Sequence, residues 1–289
     1  MSTQALLGQL LLGLVNGSFY AMLSMGLALI FGLLNVINFA HGALYMMGAY
    51  AAWIGLTYFG LDYWTMLVCG PLLVGLFGIL IERTMLRYLY KLDHLYGMLL
   101  TYGITLLLEG TFRSFFGVSG QSYPVPGALR GSADLGFMVL PIYRAWIVLA
   151  SAVICFTTWF VIERTRLGTY LRAGTENPKL VESFGINVPL MATLTFGFGV
   201  ALAALAGVLA APVFQVTPLM GSNLVIVVFA VVVIGGMGSI MGSILTGLGI
   251  GVIEGLTRYF YPEASATVVF VTMAIILLLR PAGLFGKEK

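Results

Sequence analysis

Long apolar runs separated by short polar stretches dominate the chain. No Asp, Glu, Lys or Arg occurs between positions 1 and 61. Because a membrane-spanning helix needs about 20 apolar residues, this stretch predicts two spans. The break between them is expected at 32–38, where two asparagines interrupt the apolar pattern. The other uncharged runs are 64–81, 97–108, 145–162, 188–214, 224–253 and 264–279.

The run that begins at residue 224 is too long for one helix. It contains Gly-Gly-Met-Gly-Ser at 235–239, near its middle. Because glycine permits backbone conformations that end a helix, we expect the chain to fold back there. The pattern therefore predicts an all-α polytopic membrane protein of eight or nine spans, some of them broken or interrupted by glycine.

The positive-inside rule orients these spans. One set of loops and ends carries ten basic residues, namely Arg83, Arg87, Lys91, Arg164, Arg166, Arg172, Lys179, Arg280, Lys287 and Lys289. The alternate set carries four, namely Arg113, Arg130, Arg144 and Arg258. The first set is therefore predicted to be cytoplasmic. Nine crossings place the N-terminus outside and the C-terminus inside, and eight crossings remain the alternative if one early span is re-entrant.

The composition excludes the soluble classes of function. Of the 289 residues, 60% are apolar and only 9% are charged, whereas a soluble domain has about 25% charged residues. A compact soluble domain of this size needs more polar surface than that to cover itself. A soluble enzyme, a disordered chain and a nucleic-acid binder are excluded. We expect 1–289 to form a single membrane domain in contact with lipid.

Sequence motifs for bond chemistry are missing. The sequence has no GxxxxGK[ST] phosphate loop, no HExxH metal motif and no GxSxG nucleophile. Its two cysteines, Cys69 and Cys155, have neither metal nor disulfide spacing. We therefore expect no catalytic residue, no metal site and no cofactor. We also expect no cleavable signal, because the first apolar run has no preceding Lys or Arg.

Two interruptions of the apolar pattern form a candidate translocation pathway. Irregular backbone at membrane depth persists only where it is buried in protein or lines a watery cavity, and interrupted segments in both halves of a chain point to a transport route. For the first interruption, a plain interhelical turn whose amides cap helix ends is the alternative. The candidate pathway residues are Asn35, Asn38, His41, Gly42, Tyr45, Gly235, Gly236, Gly238 and Ser239.

Two Glu-Gly-x-x-Arg segments lie near predicted outer boundaries. In both segments, Glu109 with Arg113 and Glu254 with Arg258, the acidic and basic residues are four positions apart. Residues at i and i+4 share a helix face, so each carboxylate is predicted to be neutralised by its own arginine. These pairs are interpreted as boundary ion pairs rather than as proton-carrying groups.

The predicted cytoplasmic loop 164–187 contains a short amphipathic helix. Asn177 is a suitable N-cap, Pro178 suits the first helical position, and Gly185 is a suitable stop. Leu180, Val181 and Phe184 share one face of this helix, and polar residues take the other. Two turns are too short to be stable alone. A helix on the membrane surface is one possibility, but the polar face lacks a basic bias. Docking into a groove of a cytoplasmic partner fits better.

Several segments of the sequence carry a family resemblance. Asn-Gly-Ser-Phe-Tyr-Ala begins at position 16, and Asn-Val-Ile-Asn-Phe-Ala-His-Gly-Ala-Leu-Tyr-Met-Met-Gly-Ala-Tyr covers 35–50. Gly-Gly-Met-Gly-Ser at 235–239 and Arg-Pro-Ala-Gly-Leu-Phe-Gly at 280–286 follow. Nearly end to end, the chain resembles the permease subunits of branched-chain amino acid ABC importers, the LivH type.

The resemblance implies a set of partners and a mechanism. The expected partners are a LivM-type sister permease, two cytoplasmic ATP-binding subunits and a periplasmic substrate-binding protein, in a bacterial inner membrane. The loop would be the element that meets the ATP-binding subunits, with Arg172, Asn177, Pro178, Leu180, Val181, Phe184 and Gly185 as coupling residues.

The functional hypothesis is import of branched-chain amino acids by alternating access. The subunit itself would catalyse no bond chemistry. Urea and short-chain amide importers share this permease family, so a urea or amide permease is the first alternative. A stand-alone carrier or channel is the second alternative, and the docking-type loop disfavours it.

Overall fold

The computed structural model describes residues 3–34, 36–90 and 92–286. In these residues the chain forms eleven α-helices. They are α1 (Thr3–Leu34), α2 (His41–Phe59), α3 (Tyr63–Thr84), α4 (His94–Phe116), α5 (Ile142–Arg164), α6 (Arg166–Glu176), α7 (Pro178–Ser183), α8 (Val188–Ala210), α9 (Met220–Gly235), α10 (Ile240–Phe260) and α11 (Val268–Leu279). An antiparallel hairpin of β1 (Ser132–Asp134) and β2 (Val139–Pro141) precedes α5, with Ala133 opposite Leu140.

Most of the predicted spans appear as helices. Within the described ranges, six helices are long and apolar enough to cross a membrane, namely α1, α3, α4, α5, α8 and α10. The helices α9 and α11 are apolar but shorter. The break predicted at 32–38 is present but begins later, because α1 continues to Leu34 and α2 starts at His41. The break predicted at 235–239 is confirmed, since α9 ends at Gly235 and α10 begins at Ile240. The exact number of crossings stays a prediction.

The segment predicted as a loop with one helix contains two. The helix α7 lies where the caps placed it, but α6 occupies 166–176, which the pattern left without structure. The helix α6 continues through Gly-Thr-Glu at 174–176, and Asn177 leaves the helical conformation. Gly174 of α6 lies beside Val188 at the start of α8.

Side-chain caps define several helix starts. Asp62 accepts the Thr65 N–H at the start of α3, and Asn187 accepts the Leu190 N–H at the start of α8. The hydrogen bond from the Thr65 hydroxyl lowers the pKa of Asp62 below its usual value. These oxygens satisfy N–H groups that have no partner inside a helix.

The chain divides into two compact units. One comprises residues 26–123 and 157–225, and the other comprises residues up to 25, 124–156 and 226 onward. In the first unit, α2, α3 and α8 pack against one another around a buried apolar cluster that includes Leu44, Val74 and Phe196. Whether the whole of 1–289 acts as one membrane domain stays a prediction.

Glycine allows close helix approach in both units. In the first unit, a Cβ on Gly48 would overlap the backbone of Ala204, and one on Gly207 would overlap that of Tyr45. In the second unit, α1 and α10 cross with similarly close contacts between Gly17 and Gly251. Lipid-embedded helices have no hydrophobic drive to associate, so this van der Waals packing holds them together.

Candidate translocation and coupling sites

The first break is an irregular segment held by α4. Residues 36–40 are not helical. The Thr101 hydroxyl, two turns into α4, accepts the Phe39 N–H at 3.2 Å and lies 3.3 Å from the Ile37 carbonyl oxygen. A Cβ atom added to Gly97 of α4 would lie 3.2 Å from the Val36 Cγ1 atom. The non-helical backbone is therefore buried in protein, as irregular backbone at membrane depth must be.

The polar residues of this break are buried together. Asn38, His41, Gly42 and Tyr45 are all buried, whereas Asn35 lies outside the described residues. The Asn38 Oδ1 accepts the Ala40 N–H at 3.0 Å. This bond lies in the turn that precedes α2, whose N-cap residue is Ala40, so the alternative that the amides of this break cap helix ends stays a prediction. A pathway role for the cluster stays a prediction too.

The depth of His41 follows from its neighbours. A Cβ on Gly26 would lie 2.8 Å from the Gly199 carbonyl oxygen and 3.2 Å from the His41 Cε1. Gly199 lies halfway along α8. The helix α2 therefore begins level with the middle of α8.

The second break is closed by the C-terminal segment. Gly236 and Gly238 have φ angles of 99° and 85°, which favour glycine, and the Ser239 side chain accepts the Gly242 N–H to start α10. The Leu284 N–H donates to the Ile234 carbonyl oxygen at 2.8 Å, and the Phe285 N–H to that of Gly235 at 3.1 Å. The segment 280–286 thus satisfies carbonyl groups that the end of α9 leaves open. The two breaks lie in different compact units.

One of the two predicted Glu–Arg pairs is wrong. Glu254 forms the predicted i,i+4 ion pair with Arg258 at 2.6 Å. Its carboxylate also accepts a hydrogen bond from the Tyr20 hydroxyl at 2.8 Å. Glu109 instead accepts a hydrogen bond from the Ser222 hydroxyl, at the start of α9. Within the described residues, Glu109 forms no ion pair with Arg113. Tertiary contact with α9 overrides the local spacing.

A buried carboxylate escaped the sequence analysis. Glu82, near the end of α3, accepts from the Thr193 hydroxyl at 2.6 Å and from the Tyr90 hydroxyl at 3.0 Å. Burial, and then the adjacent Glu82 charge, raise the pKa of Tyr90. The motif Ile-Glu-Arg-Thr occurs twice, but its second glutamate, Glu163, is exposed and pairs with Arg172 at 3.0 Å. The repeated motif therefore could not have identified the buried glutamate.

The short helix α7 has the predicted caps. The Asn177 Oδ1 accepts the Leu180 N–H at 3.1 Å, and Gly185 follows the helix with a φ angle of 81°. Val181 is buried, whereas Leu180 is 53% and Phe184 76% exposed. Val181 thus anchors the helix, and two large apolar side chains remain uncovered beside it.

The comparisons with known proteins place the chain in a family. Residues 9–279 match the family described as branched-chain amino acid transport system / permease component. BraD, a high-affinity branched-chain amino acid transport system permease protein of Pseudomonas aeruginosa, is 32% identical, with 98% of this chain and 96% of BraD covered. LivH of Salmonella typhimurium is 31% identical, with 100% of this chain and 99% of LivH covered. LivM of Escherichia coli is 28% identical over 92% of this chain and 67% of LivM.

The apolar helices and these matches together define the molecule. The six long apolar helices among the described residues are those of a multi-pass membrane protein. It belongs to the family of permease components of branched-chain amino acid transport systems. The resemblance derived from the sequence motifs is confirmed.

Proposed function

We propose that this chain is the membrane permease subunit of an ATP-driven importer that moves branched-chain amino acids into the cell. The full-length similarity to BraD and LivH carries this proposal, because both proteins are named for branched-chain amino acid transport. The membrane would be the bacterial inner membrane. The urea and amide alternative has no comparable support.

The partners follow from the ABC importer mechanism. A substrate-binding protein delivers the amino acid outside, and a sister permease similar to LivM completes the membrane pore. Two cytoplasmic ATP-binding subunits hydrolyse ATP and drive alternating access. The cluster of Asn38, His41, Gly42 and Tyr45 lines the route in one unit, and the break at 235–239 does so in the other.

The segment 164–187 transmits the motion of the ATP-binding subunits. The exposed Leu180 and Phe184 on α7 meet those subunits. The buried Val181 and the cap at Asn177 make α7 rigid enough to carry force to α8, which starts only a few residues later. The contact between Arg172 and Glu163 ties α6 to the end of α5.

Uptake by whole cells tests the function. In cells without their own branched-chain uptake, the chain expressed with its partner subunits should restore ATP-dependent uptake of labelled leucine. Unlabelled isoleucine and valine should compete, and urea and acetamide should not. Competition by urea at concentrations where valine is inert would move the assignment to the amide importers.

Thiol labelling tests the topology. In a background without Cys69 and Cys155, a cysteine at position 179 should resist a membrane-impermeant thiol reagent in intact cells, because the basic loops are predicted to be cytoplasmic. A cysteine at position 130, in the other set of loops, is the control and should react. Labelling of position 179 in sealed cells would reverse the orientation.

A further inference from the structure

Two helices begin side by side inside the first compact unit. Gly42 is in the first turn of α2 and Gly221 is in the first turn of α9. A Cβ on Gly42 would lie 2.6 Å from the Gly221 carbonyl oxygen, so the two backbones touch. Because α2 begins level with the middle of α8, this meeting point lies inside the span and away from its ends.

The N–H groups of these two first turns are only partly satisfied. The Ala40 N–H donates to the Asn38 Oδ1 at 3.0 Å. The His41 N–H donates to the main-chain oxygen of Asn38 at 3.3 Å. The N–H groups of Gly42 and Ala43 have no acceptor within the described part of the chain. In that part of the chain, the N–H groups of Gly221 and Ser222 in α9 have no acceptor either.

Neither helix compensates these donors with its own charge. The first turn of α2 and that of α9 contain no acidic residue. A helix N-terminus carries roughly half a positive charge, and its free N–H groups bind anions. Two such ends in contact create a local preference for a negatively charged group.

A buried side chain at the same place also lacks a partner. Asn38 is 0% exposed, and its Nδ2 donor has no acceptor among the described residues. The Oδ1 of the same amide is held by the Ala40 N–H, so Nδ2 lies at the start of α2. A buried donor left unsatisfied is destabilising. This observation is independent of the helix ends and also points to a missing acceptor.

A carboxylate stands beside these donors. Glu109 of α4 accepts from the Ser222 hydroxyl in the first turn of α9 and forms no ion pair in the described part of the chain. Ionisable groups inside membrane helices are costly and usually serve transport. At the start of α9, free N–H groups therefore lie in the same turn as a residue that contacts a carboxylate, and donors beside a carboxylate match the two charges of a zwitterion.

We propose that the first turns of α2 and α9, with Asn38 and Glu109, bind the head group of a free α-amino acid in transit. The N–H groups and the Asn38 amide take the α-carboxylate, and Glu109 takes the α-ammonium group. The amino-acid side chain takes no part, so the site accepts any amino acid that the binding protein delivers. This inference rests on the proposed function, and it names the residues that recognise the substrate within the membrane.

A local role for Glu109 is the competing explanation. Its carboxylate could simply neutralise the start of α9, as an acidic group at a helix N-terminus does. A glutamine at position 109 still accepts from Ser222 but attracts no ammonium group. Because Glu109→Gln also removes the charge at the start of α9, the two roles are separated by comparing two rates: loss of a local structural charge lowers uptake and stimulated ATP hydrolysis together, whereas loss of an ammonium partner lowers uptake alone.

The experiment uses the complete importer in proteoliposomes with saturating binding protein. Glu109→Gln should lower the kcat of leucine uptake at least tenfold, while ATP hydrolysis stimulated by the loaded binding protein stays within twofold of wild type. Glu263→Gln, at an exposed glutamate in the turn before α11, is the control and should change neither rate. Uptake within twofold of wild type would overturn the proposal, and so would an equal fall of uptake and stimulated hydrolysis.

A second variant decides the case if Glu109→Gln does not assemble. Asn38→Asp keeps an oxygen that accepts the Ala40 N–H. It also puts a carboxylate of the chain at the position that the proposal assigns to the α-carboxylate of the substrate. Because anions stabilise helix N-termini, the complex should assemble and keep its thermal stability, yet leucine uptake should fall at least tenfold. Wild-type uptake by Asn38→Asp would overturn the proposal. If the proposed function is wrong, the wild-type importer takes up no leucine. If only the head-group site is wrong, the wild type takes up leucine and the variants do so as well.

Discussion

Replacing Phe184 by aspartate should release the ATP-binding subunits and abolish uptake. Phe184 is 76% exposed directly after α7, where the buried Val181 holds the helix in place. Burying such a side chain in a partner groove contributes roughly 1.5–3 kcal/mol, and about 1.4 kcal/mol corresponds to a tenfold change in affinity. An aspartate loses this contribution and places a charge in the groove, so we expect association to weaken at least tenfold.

Co-purification measures this effect. The tagged permease carrying Phe184→Asp should retain its sister permease and lose the ATP-binding subunits. Tyr261→Asp is a matched control, since Tyr261 is 75% exposed but follows α10, at a predicted outer boundary. The control should bind the ATP-binding subunits normally. Normal stoichiometry and normal uptake with Phe184→Asp would show that α7 is not the docking element.

Gly207→Ala should destabilise the permease strongly, although alanine favours helices. At the crossing of α2 and α8, a Cβ on Gly207 would overlap the carbonyl oxygen of Tyr45 and meet the Ala49 nitrogen at 2.9 Å. Backbone atoms cannot rotate away as a side chain can, so the two helices must separate. Overpacking of this kind costs about 1–3 kcal/mol, and we expect a lower unfolding temperature and lower membrane abundance.

The matched control is Gly103→Ala in α4. A Cβ on Gly103 would meet nothing within 4 Å, so the higher helix propensity of alanine, about 1 kcal/mol, should leave stability unchanged or raised. The two variants make the same chemical change in the same compact unit. Fluorescence-detected thermal unfolding in detergent compares them. Equal unfolding temperatures would mean that the close contact at Gly207 relaxes without cost.

Local signals in the sequence predicted most of the helix boundaries. The asparagines near 35–38 and the glycines at 235–239 predicted both breaks. The motif Asn177-Pro178 with Gly185 predicted α7 at its observed place. These features act through neighbouring backbone atoms, so a pattern of residue types is enough to reveal them. The helix α6 was missed because its polar composition resembles a loop.

Tertiary contacts decided the candidate site. The i,i+4 spacing paired Glu109 with Arg113, but the chain brings Ser222 to Glu109 from over a hundred residues away. The sequence does not indicate which helix each glycine of α2 and α8 meets, whereas the structure places Gly48 against Ala204 and Gly207 against Tyr45. In the same way, the tail 280–286 and the glycines of the second break were separate motifs before the fold joined them.

The sequence by itself therefore determined that this is a multi-pass helical membrane protein, where its helices break and to which family it belongs. Hydropathy, caps and glycine act over a few residues, and a linear pattern contains that information. Only the tertiary structure decided that the starts of α2 and α9 meet, that Asn38 is buried at the start of α2 and that Glu109 contacts Ser222 at the start of α9. Contacts between distant segments depend on how whole helices pack, and apolar faces that are uniformly suited to lipid do not specify which neighbour they meet.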